Sequence, residues 1–155
     1  MPLDPAGIPE PSEEGPDRWE VPAVGYHHQI RVRYGEVDMQ GVVFNAHYLA
    51  YVDDAMSAWM REVGFGYPSA ALGFDFMVVR AELDWGGSAS FDELLEIHSQ
   101  VERWGTKSFT VAHRLHVGDR KIALVRVVYV GIRLGTKDTV EIPTAFREVL
   151  SALPG

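Results

Sequence analysis

Between Ala46 and Val63, the apolar residues Leu49, Val52, Met56, Trp59, Met60 and Val63 recur at three- and four-residue spacing, with Gly64 placed to end a helix. Tyr48, Tyr51, Ala55 and Ala58 widen that stripe beyond what a surface helix carries, so the pattern predicts one long helix buried around most of its circumference. Something must wrap it. His28 to Tyr34 alternates as a first strand, with Ile30, Val32 and Tyr34 facing one side. Four more alternating segments follow the helix: Phe76 to Trp85, Glu93 to Trp104, Lys107 to Val117 and Lys121 to Arg133. In Phe76 to Trp85, the residues Met77, Val79, Ala81, Leu83 and Trp85 share a face opposite Arg80, Glu82 and Asp84. Gly118-Asp119 and Trp104-Gly105-Thr106 read as tight turns, which make the strands they join antiparallel. Pro143 starts a short closing helix from Thr144 to Leu150.

The order is one strand, one long helix, then four strands, which is an α+β chain with a single sheet curled around a helix. Its 155 residues, 46% hydrophobic, suffice for one core and are too few to expect two. Residues 1–24 carry Pro2, Pro5, Pro9, Pro11, Pro16 and Pro22 among acids and glycines, and read as a flexible acidic tail before a domain spanning 25–155. The last strand is apolar on both faces, Ile122, Leu124, Val128 and Val130 on one and Ala123, Val125, Val127 and Tyr129 on the other. Oligomerisation, as a homodimer or homotetramer, is expected to supply the missing cover.

The absence of cysteine excludes disulfides, thiolate metal sites and a cysteine nucleophile, and fits a cytoplasmic protein. No apolar run is long enough to cross a bilayer, so no membrane association is expected. A formal charge of -8 argues against a nucleic-acid partner. Residues 1–20 hold -5 of it and the body only -3, so an anionic ligand is not excluded there. The adjacent His27 and His28 point to opposite faces of a strand, and His113 and His116 are likewise separated, so no metal site is expected.

The chemistry concentrates in the run from Arg33 to Leu49. Asp38 precedes the helix start by a few residues, with Gly41 between Asp38 and Asn45. Thioester cleavage needs attack on a carbonyl and stabilisation of the oxyanion that develops, and helix N-termini supply N–H donors for the latter. Asp38 could attack the acyl carbon or activate water. An Asp just before a helix is most often a simple cap, so these residues alone leave both readings open.

The run RYGEVDMQGVVFNAHYLAYVDDA resembles the signature of the 4-hydroxybenzoyl-CoA thioesterase family of hotdog-fold proteins, in which an acid is followed by Gly and a Val-Val-aromatic step into the central helix. The order of elements agrees over about residues 27–133. The resemblance implies an acyl-CoA thioesterase in which Asp38 is the catalytic carboxylate, the Asn45 N–H polarises the carbonyl and Gly41 shapes the loop. Asn45 stands where relatives carry His or Tyr, which leaves a backbone role intact. Glu36 stands where many relatives have Asp, and Asp53 matches a helix acid common among them.

By the same resemblance the substrate is an acyl-CoA or acyl carrier protein thioester, with coenzyme A as part of the substrate and no further cofactor. The acyl chain enters between subunits beside the helix. Arg103, Lys107 and Ser108 match a turn that contacts pantetheine or phosphates, and the alternative for them is a solvated hairpin. Tyr34, Phe44, His47 and Asp53 are further substrate-side candidates, each with a bland alternative as core, surface or packing residue. Phe44, Tyr51, Met56, Phe74, Phe76 and Met77 are candidates for an acyl pocket suited to a fatty or aromatic group. Two alternatives to hydrolysis remain, a hotdog hydratase or dehydratase, for which His47 is the only nearby histidine, and a non-catalytic acyl-CoA-binding protein.

Overall fold

The structure, a computed structural model, describes residues 17–66 and 73–152. Five strands, β1 (Tyr26–Arg31), β2 (Phe74–Trp85), β3 (Leu94–Trp104), β4 (Ser108–Val117) and β5 (Arg120–Arg133), form one sheet in the order β1-β3-β4-β5-β2. Every neighbouring pair is antiparallel. The long helix α1 (His47–Glu62) connects the two edge strands and so must cross the face of the sheet between them. A second helix, α2 (Thr144–Ala152), closes the described chain. This is the hotdog arrangement that the resemblance implied, and the chain is α+β. No helix among the described residues is long and apolar enough to cross a membrane.

Alternation decides what lies under the helix. Leu95 and Ile97 of β3, Phe109, Val111 and Leu115 of β4, and Ala123, Val125, Val127 and Tyr129 of β5 form one buried cluster with Tyr48, Tyr51, Val52, Ala55, Met56, Trp59 and Met60 of α1. At one end α2 inserts Phe146 among Phe65, Phe74, Phe76, Trp104 and Phe109, with ring centroids 5.1 to 6.3 Å apart. The wrap is less complete than the sequence predicts. Leu49, Asp53, Asp54, Ser57 and Arg61 leave one side of α1 open.

Two further expectations are corrected. The first strand spans Tyr26–Arg31 rather than His28 to Tyr34, and Tyr26, His28 and Ile30 are its half-buried side. Tyr34 falls in a single 3-10 turn, Tyr34–Glu36, and is 81% exposed. Next, β2 begins at Phe74 and carries a bulge between Val78 and Arg80. The extra residue, Val79, shifts the alternation, so Phe74 and Phe76 share the inner face with Ala81 and Leu83, and Met77 does not. Part of the outer sheet face has cover within the chain, which leaves the expected oligomerisation untouched. Arg114 Nε donates to the Arg18 carbonyl at 2.9 Å, Arg18 pairs with Asp84, Lys121 pairs with Asp17, and Trp19 stands edge-on to His116. Residues 17–24 thus lie along the sheet as a strap, while 1–16 fall outside the described residues. Gly25 ends the strap at φ 143°, where a Cβ would sit 2.4 Å from the Ser99 carbonyl oxygen, so only glycine fits the step into β1.

One polar pair is sealed beneath α1. His113 is fully buried, its Nδ1 2.7 Å from Ser99 Oγ, and burial pushes its pKa down to about 3. The unfolded chain takes up this proton near the ordinary value of 6.5 and the folded chain does not, so stability falls as pH drops through the window from 6.5 to about 3. Between pH 7 and 5 the loss from this group is expected to be about 2 kcal/mol. Denaturant titrations of wild type and His113→Gln at both pH values check it, and equal losses in the two proteins would refute it.

Candidate active site

The segment after β1 folds into a small hairpin. Val37 bridges Val43, Val42 bridges Ser90, the Asp38 N–H donates to the Val42 carbonyl at 2.9 Å, and the Gly41 N–H donates to the Asp38 carbonyl at 3.0 Å. Gly41 has φ 78°, the left-handed conformation that a tight turn needs and that glycine adopts without strain. No atom crowds its missing Cβ, so the turn and not a close approach within the chain requires it.

Asp38 is half-buried. Its Oδ1 accepts the Gln40 N–H at 2.8 Å, and no cation pairs with it among the described residues. It does not cap α1, whose N-terminal residue Ala46 has no side-chain cap bond. The bland reading of Asp38 as a helix cap is therefore excluded. The Asn45 N–H makes no backbone hydrogen bond among the described residues and stands one residue before that helix start. Asp38 and Asn45 line the same cleft of about 300 Å³, together with Gln40, Tyr48, Trp85, Gly87 and Ser88. The cleft lining thus includes a carboxylate with no cation partner and a residue beside the helix start whose N–H makes no backbone hydrogen bond among the described residues.

Beneath this loop lies Glu36, which the resemblance matched only to an Asp of many relatives. It is buried, its carboxylate contacts the Arg33 guanidinium, and its carbonyl receives the Phe44 N–H at 2.9 Å. Burial alone would raise its carboxyl, but the neighbouring Tyr51 hydroxyl and Arg33 hold it below the usual range. Tyr51 is pushed up in turn, by burial first and then by that carboxylate. The only sequence signal for this brace is an acid three residues after Arg33, in the run that leads to the helix. Tyr48 adds a second tie, its hydroxyl accepting the Ala89 N–H at 3.1 Å across the cleft.

The remaining candidates divide by location. Tyr34 is exposed and edge-on to Phe91, with centroids 6.0 Å apart, so its alternative as a core residue is corrected. Phe44 is 48% exposed beside the hairpin. His47 is half-buried with its ring edge-on to Tyr51, and it does not line the Asp38 cleft. A second cavity, of about 630 Å³, lies between the C-terminal half of α1 and β2, lined by Met56, Phe74, Phe76, Tyr129 and Phe146, with Asp53 and Ser57 also on its wall. Burial raises the Asp53 carboxyl there. Of the six pocket candidates, Met56, Phe74 and Phe76 line this cavity, whereas Tyr51, Phe44 and Met77 do not.

Arg103, Lys107 and Ser108 flank the β3–β4 turn, where Gly105 N–H donates to the Ser108 carbonyl and Arg147 Nη2 donates to the Thr106 carbonyl at 3.0 Å. Strand register puts that turn at the end of the sheet where β2 begins, since Ser108 pairs with Val130 and Phe74 with Arg133. The Asp38 cleft contains Trp85, at the other end of β2. At ~3.3 Å per residue the two ends are about 35 Å apart, so one chain does not bring Asp38 together with Arg103, Lys107 and Ser108.

The histidines behave partly as the spacing predicts, with His27 exposed and His28 turned inward against Asp54 of α1 at 2.7 Å. Pairing between strands adds what spacing along one strand could not reveal. His27 lies directly opposite His98, and their ligating atoms lie within 4.8 Å of each other and of Glu96. Spacing along a single strand does not bring these three side chains together, and the pairing of β1 with β3 does.

Residues 32–150 match the model of the thioesterase-like superfamily, and the chain belongs to that family. Thioester hydrolysis is the activity this membership carries. The chain is 24% identical to the 1,4-dihydroxy-2-naphthoyl-CoA hydrolase of Synechococcus elongatus, over 81% of its length and 94% of that protein. It is likewise 24% identical to the acyl-CoA thioesterase YbgC of Haemophilus influenzae, over 77% of its length and 89% of that protein. A thioesterase superfamily structure from Jannaschia superposes with a TM-score of 0.79 at 19% identity, covering 88% of this chain and 97% of the other, and shares the fold.

Proposed function

We propose that this protein hydrolyses acyl-CoA thioesters in a site built from two copies of the chain, with Asp38 as the catalytic carboxylate. The observation that carries the proposal is that Asp38, which has no cation partner, and Asn45, whose N–H makes no backbone hydrogen bond among the described residues, line one cleft. The thioester carbonyl oxygen accepts from the Asn45 N–H, and the helix dipole favours the negative charge that develops. Asp38 either adds to the acyl carbon, expelling the coenzyme A thiolate and leaving an anhydride for water to open, or takes a proton from the attacking water. Single turnover in ¹⁸O-water that leaves label on Asp38 identifies an anhydride opened at the Asp38 carboxyl carbon.

The second copy is proposed because the cleft and the larger cavity lie at opposite ends of β2. This is an edge strand with Val78 and Val79 about half exposed. Antiparallel pairing of two β2 edges would continue the sheet and set the Trp85 end of one chain against the Phe74 end of the other. The Asp38 cleft of one copy would then face the apolar cavity, Asp53 and the Arg103–Ser108 turn of its partner. Acyl group, thioester and coenzyme A phosphates would each meet suitable chemistry, the phosphates with Arg103 and Lys107. The aromatic cavity suits an aromatic or branched acyl group, in line with the naphthoyl-CoA hydrolase among the relatives.

Thiol release from short, long and aromatic acyl-CoAs tests the activity, and absence of release from every member would refute it. Complementation tests the shared site. Asp38→Asn supplies an intact cavity, and Ser57→Trp, placed on the cavity wall, supplies an intact Asp38. Each alone is expected to be nearly inactive, and unfolding and refolding the two together is expected to restore about a quarter of wild-type activity through one intact site per mixed pair. No recovery would place the whole site within one chain.

A further inference from the structure

We infer that the outer face of the β1–β3 ribbon binds one divalent transition-metal ion of the zinc type, through His27, His98 and Glu96. The pairing register builds the site. His27 of β1 and His98 of β3 are directly opposite, and their rings stack with centroids 4.5 Å apart and planes 10° from parallel. Glu96 stands two residues before His98 on the same face, with its Oε2 3.7 Å from His27 Nε2. All three ligating atoms lie within 4.8 Å of one another. A tetrahedral zinc ion with bonds of about 2.0–2.2 Å holds its ligand atoms about 3.3–3.5 Å apart, so the two stacked rings would turn out of parallel to aim their nitrogens at one ion.

The neighbours favour a cation there. Gln29, opposite Glu96, donates from Nε2 to Glu96 Oε1 at 3.0 Å, which fixes the carboxylate and leaves Oε2 turned toward His27. Outer support of this kind orients a metal ligand. Glu96 has no lysine or arginine partner among the described residues, so its only charge partner is an imidazole. Arg114, across from His98, bonds the Arg18 carbonyl through Nε, and its positive charge acts against a cation at His98. Two imidazoles and one carboxylate select a borderline ion such as Zn²⁺ over Mg²⁺ or Ca²⁺, which prefer oxygen ligands. Water would complete the coordination.

An ion held here would clip β1, an edge strand with one neighbour, to β3. The site does not depend on the catalytic reading, because it lies on strands outside the Asp38 cleft. Calorimetric titration of the untagged full-length protein with zinc chloride, with magnesium chloride as the control, is expected to show one zinc per chain and a raised melting temperature, with no response to magnesium. His27→Ala and His98→Ala are each expected to abolish that binding, and Gln29→Ala to weaken it about 10- to 100-fold. His28→Ala, on the opposite face, is expected to bind as wild type does. A wild type without zinc binding, or binding that survives in both His27→Ala and His98→Ala, overturns the inference. So does binding lost in His28→Ala or Asp38→Asn instead, since either would place the ion elsewhere.

Discussion

Asp38→Asn is expected to lower kcat/KM for acyl-CoA hydrolysis by about 10³-fold or more, with the melting temperature nearly unchanged. The amide keeps the acceptor that binds the Gln40 N–H, so the hairpin geometry survives. What it loses is the anionic oxygen, which either adds to the acyl carbon or takes the proton from water, and removal of such a group costs ~10²–10⁴-fold. KM is expected to move little, because the Asn45 N–H and the cavity remain. Steady-state thiol release with several acyl-CoAs checks this. A variant that hydrolyses as fast as wild type would move the chemistry to another residue.

The largest effect on stability is expected at Trp59. It is fully buried in α1, stacked on Tyr26 of β1 at a centroid distance of 5.9 Å and a 5° interplanar angle. Trp59→Ala removes its contacts and leaves a void between helix and sheet, at a cost of about 3–5 kcal/mol. Against a total stability of ~5–15 kcal/mol, that leaves a marginal protein. Urea denaturation followed by far-UV circular dichroism measures the loss, and a change below about 1 kcal/mol would mean that the helix is not anchored through this residue.

The elements were legible because they follow local periodicity. The α1 stripe and the existence and order of β3, β4 and β5 survive folding, with register shifts at Val101/Arg103 and Leu115/His116. What escaped was whatever depends on partners distant in sequence. The Val79 bulge is invisible in a run that alternates correctly, because it arises from the register against β5. The His27, Glu96 and His98 cluster exists only through strand pairing. The brace at Glu36 depends on Tyr51, fifteen residues on in α1, which the order of residues alone does not bring to it. At the candidate site, Asp38, Gly41 and Asn45 were legible because eight consecutive residues carry them. Their distance from Arg103 and Lys107 was not, since motif order says nothing of which end of a sheet a turn occupies.

The strap has a consequence for the order of assembly. Its bonds from Asp17 to Lys121 and from Arg18 to Arg114 span 104 and 96 residues. Closing loops of that length costs entropy that only a finished docking surface returns. The first part of the described chain to leave the ribosome is therefore among the last to settle, and until β4 and β5 have paired, the outer face of the sheet stands bare to other nascent chains.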